Sequence, residues 1–246
     1  MKITFLRSLR QSYLNSGKLT KYLFYALGEI FLVVLGILIA LQVNTWNNSR
    51  LDLKKEREIL LELKEGLQED AYKLDSVVIS YERDLKKMHK LDSLLTFNNH
   101  PYHPDMDDLF GAIYGIRYVR VNQAYFEELK NNGIHLIRDA GLKKSIVNLF
   151  EETYDLLRSY LDAERSTNQV VRPYYLQNFV NIEFYRTATP VNYDKIWNDP
   201  YYKNIVHYRI ITLELNHVRN YGNTVRIINQ IVEGIDNYLE INKKED

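Results

Sequence analysis

The sequence predicts an all-α protein: a single N-terminal transmembrane helix that continues into a long helix of an extracytoplasmic up-and-down helical bundle. Three observations lead there. Residues 22–43 form an apolar run broken by one ionisable residue, Glu29. From Leu53 to Leu95 a large side chain recurs every seventh position. The remaining chain divides into capped amphipathic stretches separated by polar, proline- or asparagine-bearing loops.

The apolar run, Tyr22 to Val43, would measure about 33 Å as a helix, against a hydrocarbon core of roughly 30 Å. Ten large apolar side chains between Ile30 and Leu41 favour insertion by about 3–6 kcal/mol, whereas Glu29, off-centre, opposes it by at most ~3 kcal/mol. Insertion wins. A cleaved signal peptide fits worse, because its apolar region would be too long and Ala40-Leu41-Gln42 is a poor small-x-small cleavage site. Lys2, Arg7, Arg10, Lys18 and Lys21 precede the run with no acidic residue among them, and Asn44-Thr45-Trp46-Asn47-Asn48 after it is uncharged. The positive-inside rule therefore places residues 1–21 in the cytoplasm and 44–246 outside. Tyr22 and Tyr25 mark one membrane border and Trp46 the other. Residues 3–14, with Ile3, Leu6, Leu9 and Tyr13 at helical spacing beside Arg7 and Arg10, read as a basic amphipathic helix on the anionic leaflet. A disordered basic tail is the alternative.

Composition removes several function classes. The chain has no cysteine, so disulfides and thiolate chemistry are absent. From Arg50 onward it carries 27 basic against 31 acidic residues, a balance that argues against a nucleic-acid partner. No HExxH, GxSxG, Walker or dinucleotide fingerprint occurs.

Beyond the span, Leu53, Leu60, Leu67, Leu74, Tyr81, Met88 and Leu95 define a long helix over about 52–96. Leu63, Val77 and Leu91 fill the half-heptads, Val78 and Leu85 widen the stripe, and Asp70 and Asp84 interrupt it. This width suits a bundle helix better than a two-stranded coiled coil. Charges alternating from Arg50 to Glu65 read as its solvated face. The stretch from Phe97 to Pro104 is a loop, and further helices are expected over about 122–132, 139–171 and 200–240. Pro173 is the expected stop of the third. Residues 177–199 read as an irregular connection, and Asp199-Pro200 as a helix start with a capping carboxylate and proline at the first position. The last helix aligns Tyr208, Ile211, Leu215, Val218, Gly222, Val225, Ile228, Val232, Ile235 and Leu239 on one face.

The span carries a resemblance. Gly17-Lys18, Lys21-Tyr22-Leu23, Gly28-Glu29-Ile30, Leu35-Gly36-Ile37-Leu38-Ile39-Ala40-Leu41-Gln42, Asn44 and Trp46-Asn47 look like the N-terminal hallmark of an uncharacterised family of single-pass membrane proteins of Bacteroidota, a domain of unknown function. Phe126-Glu127-Glu128-Leu129, Gly133 and Leu136-Ile137 loosely resemble a second family segment. The resemblance implies a Gram-negative inner (cytoplasmic) membrane and a periplasmic helical domain, and it brings no established activity.

Candidate sites are few. Glu29, Gly36 and Val43 share a helix face with Ala40 beside it, and Gly36 and Ala40 have the small-x-x-x-small spacing of close helix approach. This is a candidate face for homo-oligomerisation or for a membrane-protein partner. The alternative is a snorkelling or protonated Glu29 near the inner boundary, hydrogen-bonded to Tyr25. Arg7, Arg10, Lys18, Lys21, Tyr22 and Trp46 are the candidate membrane-interface residues, their partner being lipid. His100, His103, Asp105, Asp107 and Asp108 form the densest ligand-like cluster and read as a solvated loop. Tyrosines 174, 175, 201 and 202 fit core packing, or an aromatic ligand pocket. No catalytic, cofactor-binding or metal residue is assigned. The expected function is non-enzymatic, an interaction scaffold or accessory subunit. The alternative is a periplasmic small-ligand sensor relaying to a separate cytoplasmic partner.

Overall fold

The computed structural model describes residues 18–97, 100–122 and 124–242, with side chains for all of these except 18–22, 25, 124, 125 and 132. The expected amphipathic helix over 3–14, with Arg7 and Arg10, lies outside the described residues, as do the side chains of Lys18, Lys21, Tyr22 and Tyr25. The described chain is predominantly α-helical. Two units divide it, Met1–Lys55 and Glu56–Asp246.

The first unit is built from helix α1, Lys18–Leu94, whose 77 residues run on into the second unit. It is the one helix among the described residues long and apolar enough to cross a membrane, and its apolar window is entirely uncovered by protein. Leu32, Val33, Ile37, Leu38 and Leu41 are all exposed. Residues 44–55 group with this stretch, so the unit ends a few turns later than the apolar run itself.

In the second unit the heptad side chains of α1 are the core: Leu60, Leu67, Leu74, Tyr81, Met88 and Leu95 are buried, with Leu63 and Leu91 between them. A return leg follows, containing short helices α2 (Asp107–Ala112) and α3 (Ala124–Asn132) in otherwise irregular chain. Its contacts descend α1: Arg117 meets Asp84, Asn122 meets Asp70, and Arg138 meets Glu56. Then come α4 (Ala140–Asn148), a π-helical turn (Leu149–Thr153) and α5 (Tyr154–Asn178). A hairpin of β1 (Phe179–Glu183) and β2 (Thr187–Pro190) and the short α6 (Tyr193–Trp197) lead to α7 (Pro200–Thr212). A second π-helical stretch, Leu213–Arg219, joins α7 to α8 (Asn220–Asn242). Glu214 meets His89 while Tyr238 meets Glu56, so this last leg runs antiparallel to α1.

Four differences from the sequence expectation have physical causes. α5 continues through Pro173 to Asn178. The proline is exposed, and so is Gln169, the residue whose carbonyl loses its helical donor. Meanwhile Tyr175 one turn of packing further on is buried against Phe179 at 4.4 Å, which rewards continuation. Residues 177–199 are ordered into an antiparallel hairpin with a register shift between Val180 and Glu183. The face drawn along the last leg is right in its second half and wrong in its first: Ile228 and Ile235 are buried, whereas Tyr208, Ile211 and Leu215 are exposed. A π-helical stretch holds more residues per turn, so a seven-residue repeat extrapolated through Leu213–Arg219 changes face. Finally Glu56, assigned to the solvated face of α1, is buried.

Candidate functional site

The return leg creates a problem that the rest of the second unit solves. Irregular backbone inside a helical core carries N–H and C=O groups with no ladder to satisfy them, and each unpaired buried group costs about 1–3 kcal/mol. Three carboxylates of α1, spaced fourteen residues apart and so on one face, serve the leg. Glu56 accepts from the Arg138 backbone N–H (2.7 Å) and the Tyr238 hydroxyl (2.8 Å). Asp70 accepts the Asn122 N–H on both oxygens (3.1 and 3.0 Å) and the Tyr154 hydroxyl (3.0 Å). Asp84 receives the Arg117 guanidinium at 2.5 and 3.1 Å. Burial holds Asp70 and Asp84 above the ordinary carboxylate pKa, their hydrogen bonds offsetting part of that rise.

The leg's carbonyls are served from the opposite side. Tyr175 donates to Phe110 O at 2.7 Å and Tyr185 to Gly115 O at 2.7 Å. Arg209 reaches Ile113 O with Nε at 3.1 Å and Gly115 O with Nη2 at 3.4 Å. Two local features admit this crossing. Tyr185, in the hairpin turn, adopts a φ of 58°, and Gly115 one of 151°. A Cβ on Gly115 would lie 2.6 Å from the Tyr185 ring, so glycine is required there on both grounds. The Arg117 guanidinium lies over that ring, 4.3 Å from its centroid.

At the centre, Glu164, Arg209 and His217 form a fully buried cluster. Arg209 Nη1 lies 2.8 Å from Glu164 Oε2 and 2.7 Å from Oε1. His217 Nε2 is 3.4 Å from Oε2, and its ring packs on Tyr81 and Tyr221, each at 5.2 Å between centroids. Burial raises the Glu164 pKa, but the His217 hydrogen bond and the Arg209 charge outweigh it and hold the carboxyl below its usual value. An ionised Glu164 accepts, so we assign the His217 proton to Nε2. Three buried atoms in this cluster make no hydrogen bond: Glu164 Oε1, His217 Nδ1 and the Tyr221 hydroxyl. The cluster holds charge in place, with the Glu164 carboxylate paired to Arg209 and hydrogen-bonded to His217.

A groove of about 610 Å³ opens beside this centre, between α5 and α7, with Glu164 at its floor. Ser166, Thr167 and Val170 form one wall, and Tyr201, Asn204 and Tyr208 the other. Tyr208, expected on the core face of the last leg, is thus part of a groove wall.

The residues singled out in the sequence are placed as follows. Glu29, Gly36, Ala40, Val43 and Trp46 are all exposed on α1, and a Cβ on Gly36 would meet nothing within 4 Å. Of the loop histidines and aspartates, His103 and Asp105 meet at 3.2 Å and the others turn to separate partners. His100 stacks on Trp197 at 5.3 Å, Asp107 accepts from Tyr102 and Thr189, and Asp108 pairs with Lys87. Among the described residues no three His, Asp or Glu converge as metal ligands. Tyr175 and Tyr202 are fully buried and hydrogen-bonded to each other at 3.2 Å, with Tyr174 stacked on Tyr202 at 5.5 Å. These three are packed together, and of the four tyrosines only Tyr201 lines the groove. Sequence reasoning missed Glu164 and Arg209, and took His217 only as an isolated surface or core histidine; the three are distant in the chain and lie in ordinary helical surroundings.

Comparison with curated proteins and with solved structures gave no match. The model of a family of unknown function (DUF6090) matches residues 29–170, beginning in the apolar stretch of α1 and ending within α5. That is more than half of the chain, which therefore belongs to this family.

Proposed function

We propose that the protein is a single-pass membrane protein that presents a helical up-and-down bundle outside the cytoplasm and acts without catalysis, as an interaction scaffold or accessory subunit. The observation that carries the reading is the uncovered apolar stretch of α1. A helix with Leu32, Val33, Ile37, Leu38 and Leu41 all exposed needs lipid around it. By the charge asymmetry of its flanks the N-terminus is cytoplasmic, and by the resemblance of its span the membrane is the inner membrane of a Gram-negative cell and the domain periplasmic. The span also supplies the partner face, homotypic or with another membrane protein. Glu29, Gly36, Ala40 and Val43 lie on it, and the open space over Gly36 admits a neighbouring helix. Membership of the family leaves the activity open, so the interaction reading rests on the span and on the second unit's interior. There Glu56, Asp70 and Asp84 are engaged in holding the fold.

Because the chain lacks cysteine, orientation is read directly with Ser16→Cys and Asn48→Cys. An impermeant maleimide added to spheroplasts should label position 48 alone; labelling of position 16 alone would reverse the topology. In a span-dimerisation reporter, Glu29→Leu and Gly36→Ile should each lower the signal. An unchanged signal in both removes the partner face.

A further inference from the structure

The groove between α5 and α7 has the lining of a small-molecule site. Its volume of about 610 Å³ falls inside the roughly 300–1,000 Å³ typical of ligand pockets. Of the residues that line it, only Glu164 carries a charge at neutral pH, and that charge is matched by Arg209 at 2.7 Å. A charged ligand would lose its hydration and find no free counter-charge. A neutral one meets no such cost.

The walls define the rest of its chemistry. Tyr201, Asn204 and Tyr208 follow one another at i, i+3 and i+7, which puts them on one face of α7 with the amide between the two rings. Both rings are about half exposed. Ala163, Val170 and Ile205 add apolar surface. Ser166, Thr167 and Thr212 spend their hydroxyls on helix carbonyls one turn back. The side-chain amides of Asn204 and Asn216 bond nothing among the described residues, and with the Tyr201 and Tyr208 hydroxyls they are donors and acceptors open to a ligand in the groove.

We propose that this groove binds an uncharged cyclic molecule with an apolar face, which packs on Tyr201 and Tyr208, and a hydrogen-bonding edge, which meets Asn204 and Asn216. The proposal stands apart from the membrane reading, since orientation and span association do not enter it.

The test uses the full chain in lipid nanodiscs and saturation-transfer NMR with four probes at millimolar concentration: benzamide, methyl β-glucoside, benzoate and benzylammonium. Benzamide, the glucoside or both should give a signal, and the two ions should not. Val170→Trp and Asn204→Trp, at exposed positions on opposite walls, should each remove that signal while leaving the thermal unfolding of the protein unchanged. Three outcomes overturn the proposal: silence from both neutral probes, equal signals from the charged ones, or neutral-probe signals that survive both tryptophans.

Discussion

One helix, α1, meets two surroundings, and its residues follow opposite rules in them. Between Leu27 and Val43 the apolar side chains are outside, uncovered by protein, and the one carboxylate, Glu29, is exposed. From Glu56 onward the heptad side chains Leu60, Leu67, Leu74, Tyr81 and Met88 are inside, and three carboxylates are inside with them. The contrast shows that polarity alone does not say which way a residue faces. In the first stretch the apolar surface is left uncovered by protein, as a membrane anchor's would be. In the second, Glu56 and Asp70 accept from backbone N–H groups of the irregular chain beside them, and Asp84 accepts from the Arg117 guanidinium.

Substitutions can be paired to sharpen this contrast, all read by unfolding of the full chain in mild detergent. Arg209→Met should have the largest effect, a loss of about 3–5 kcal/mol, because it strands the Glu164 charge in the interior. Adding Glu164→Gln to it should recover part of the loss; no recovery would mean that the Arg209 contacts to Ile113 O and Gly115 O dominate. Leu74→Ala should cost about 2–5 kcal/mol, as for a fully buried leucine. Leu38→Ala, on the uncovered stretch of the same helix, should leave this transition unchanged. An equal loss from both would dissolve the distinction between the two stretches.

Asp70→Asn should cost about 1–3 kcal/mol at neutral pH, since an amide cannot accept from Asn122 and Tyr154 on both of its atoms. Its pH dependence has a definite sign. Burial raises the Asp70 pKa in the folded protein, so the folded state takes up the proton first as pH falls. Stability from this group therefore grows below the raised folded value, is complete below the unfolded one, and is lost as pH rises again. Wild type should gain on Asp70→Asn between neutral pH and the ordinary carboxylate range. Glu164, held below its usual value, acts oppositely and only at lower pH, where its protonation releases Arg209. A gap that narrows on acidification would show that the Asp70 hydrogen bonds outweigh its burial.

The features legible in the sequence are those with local causes. The seven-residue stripe of α1 is visible because burial along a single regular helix repeats, and Asp199-Pro200 is visible because a cap is a local motif, its carboxylate accepting from the Tyr201 N–H. Asp70 and Asp84 were also visible, as breaks in the stripe, but their partners lie 52 and 33 residues away. The hairpin at 179–190 was not legible, since it is held by Tyr185 inserting beside Gly115, seventy residues distant. The same holds for Glu164 and Arg209, forty-five residues apart and paired only by the packing of α5 on α7. The groove followed from neither pattern, because its walls, Ser166 and Val170 on α5 and Tyr201, Asn204 and Tyr208 on α7, are brought together only by the fold.

The contrast within α1 is tested most directly by spin labels at two positions that are both exposed in the structure, Ile37→Cys and Tyr72→Cys, with the full chain in lipid bilayers. The label at 37 should relax strongly with oxygen and weakly with a water-soluble nickel chelate, and the label at 72 should do the reverse. Strong relaxation by the nickel chelate at 37 would put that stretch in water and contradict the membrane span.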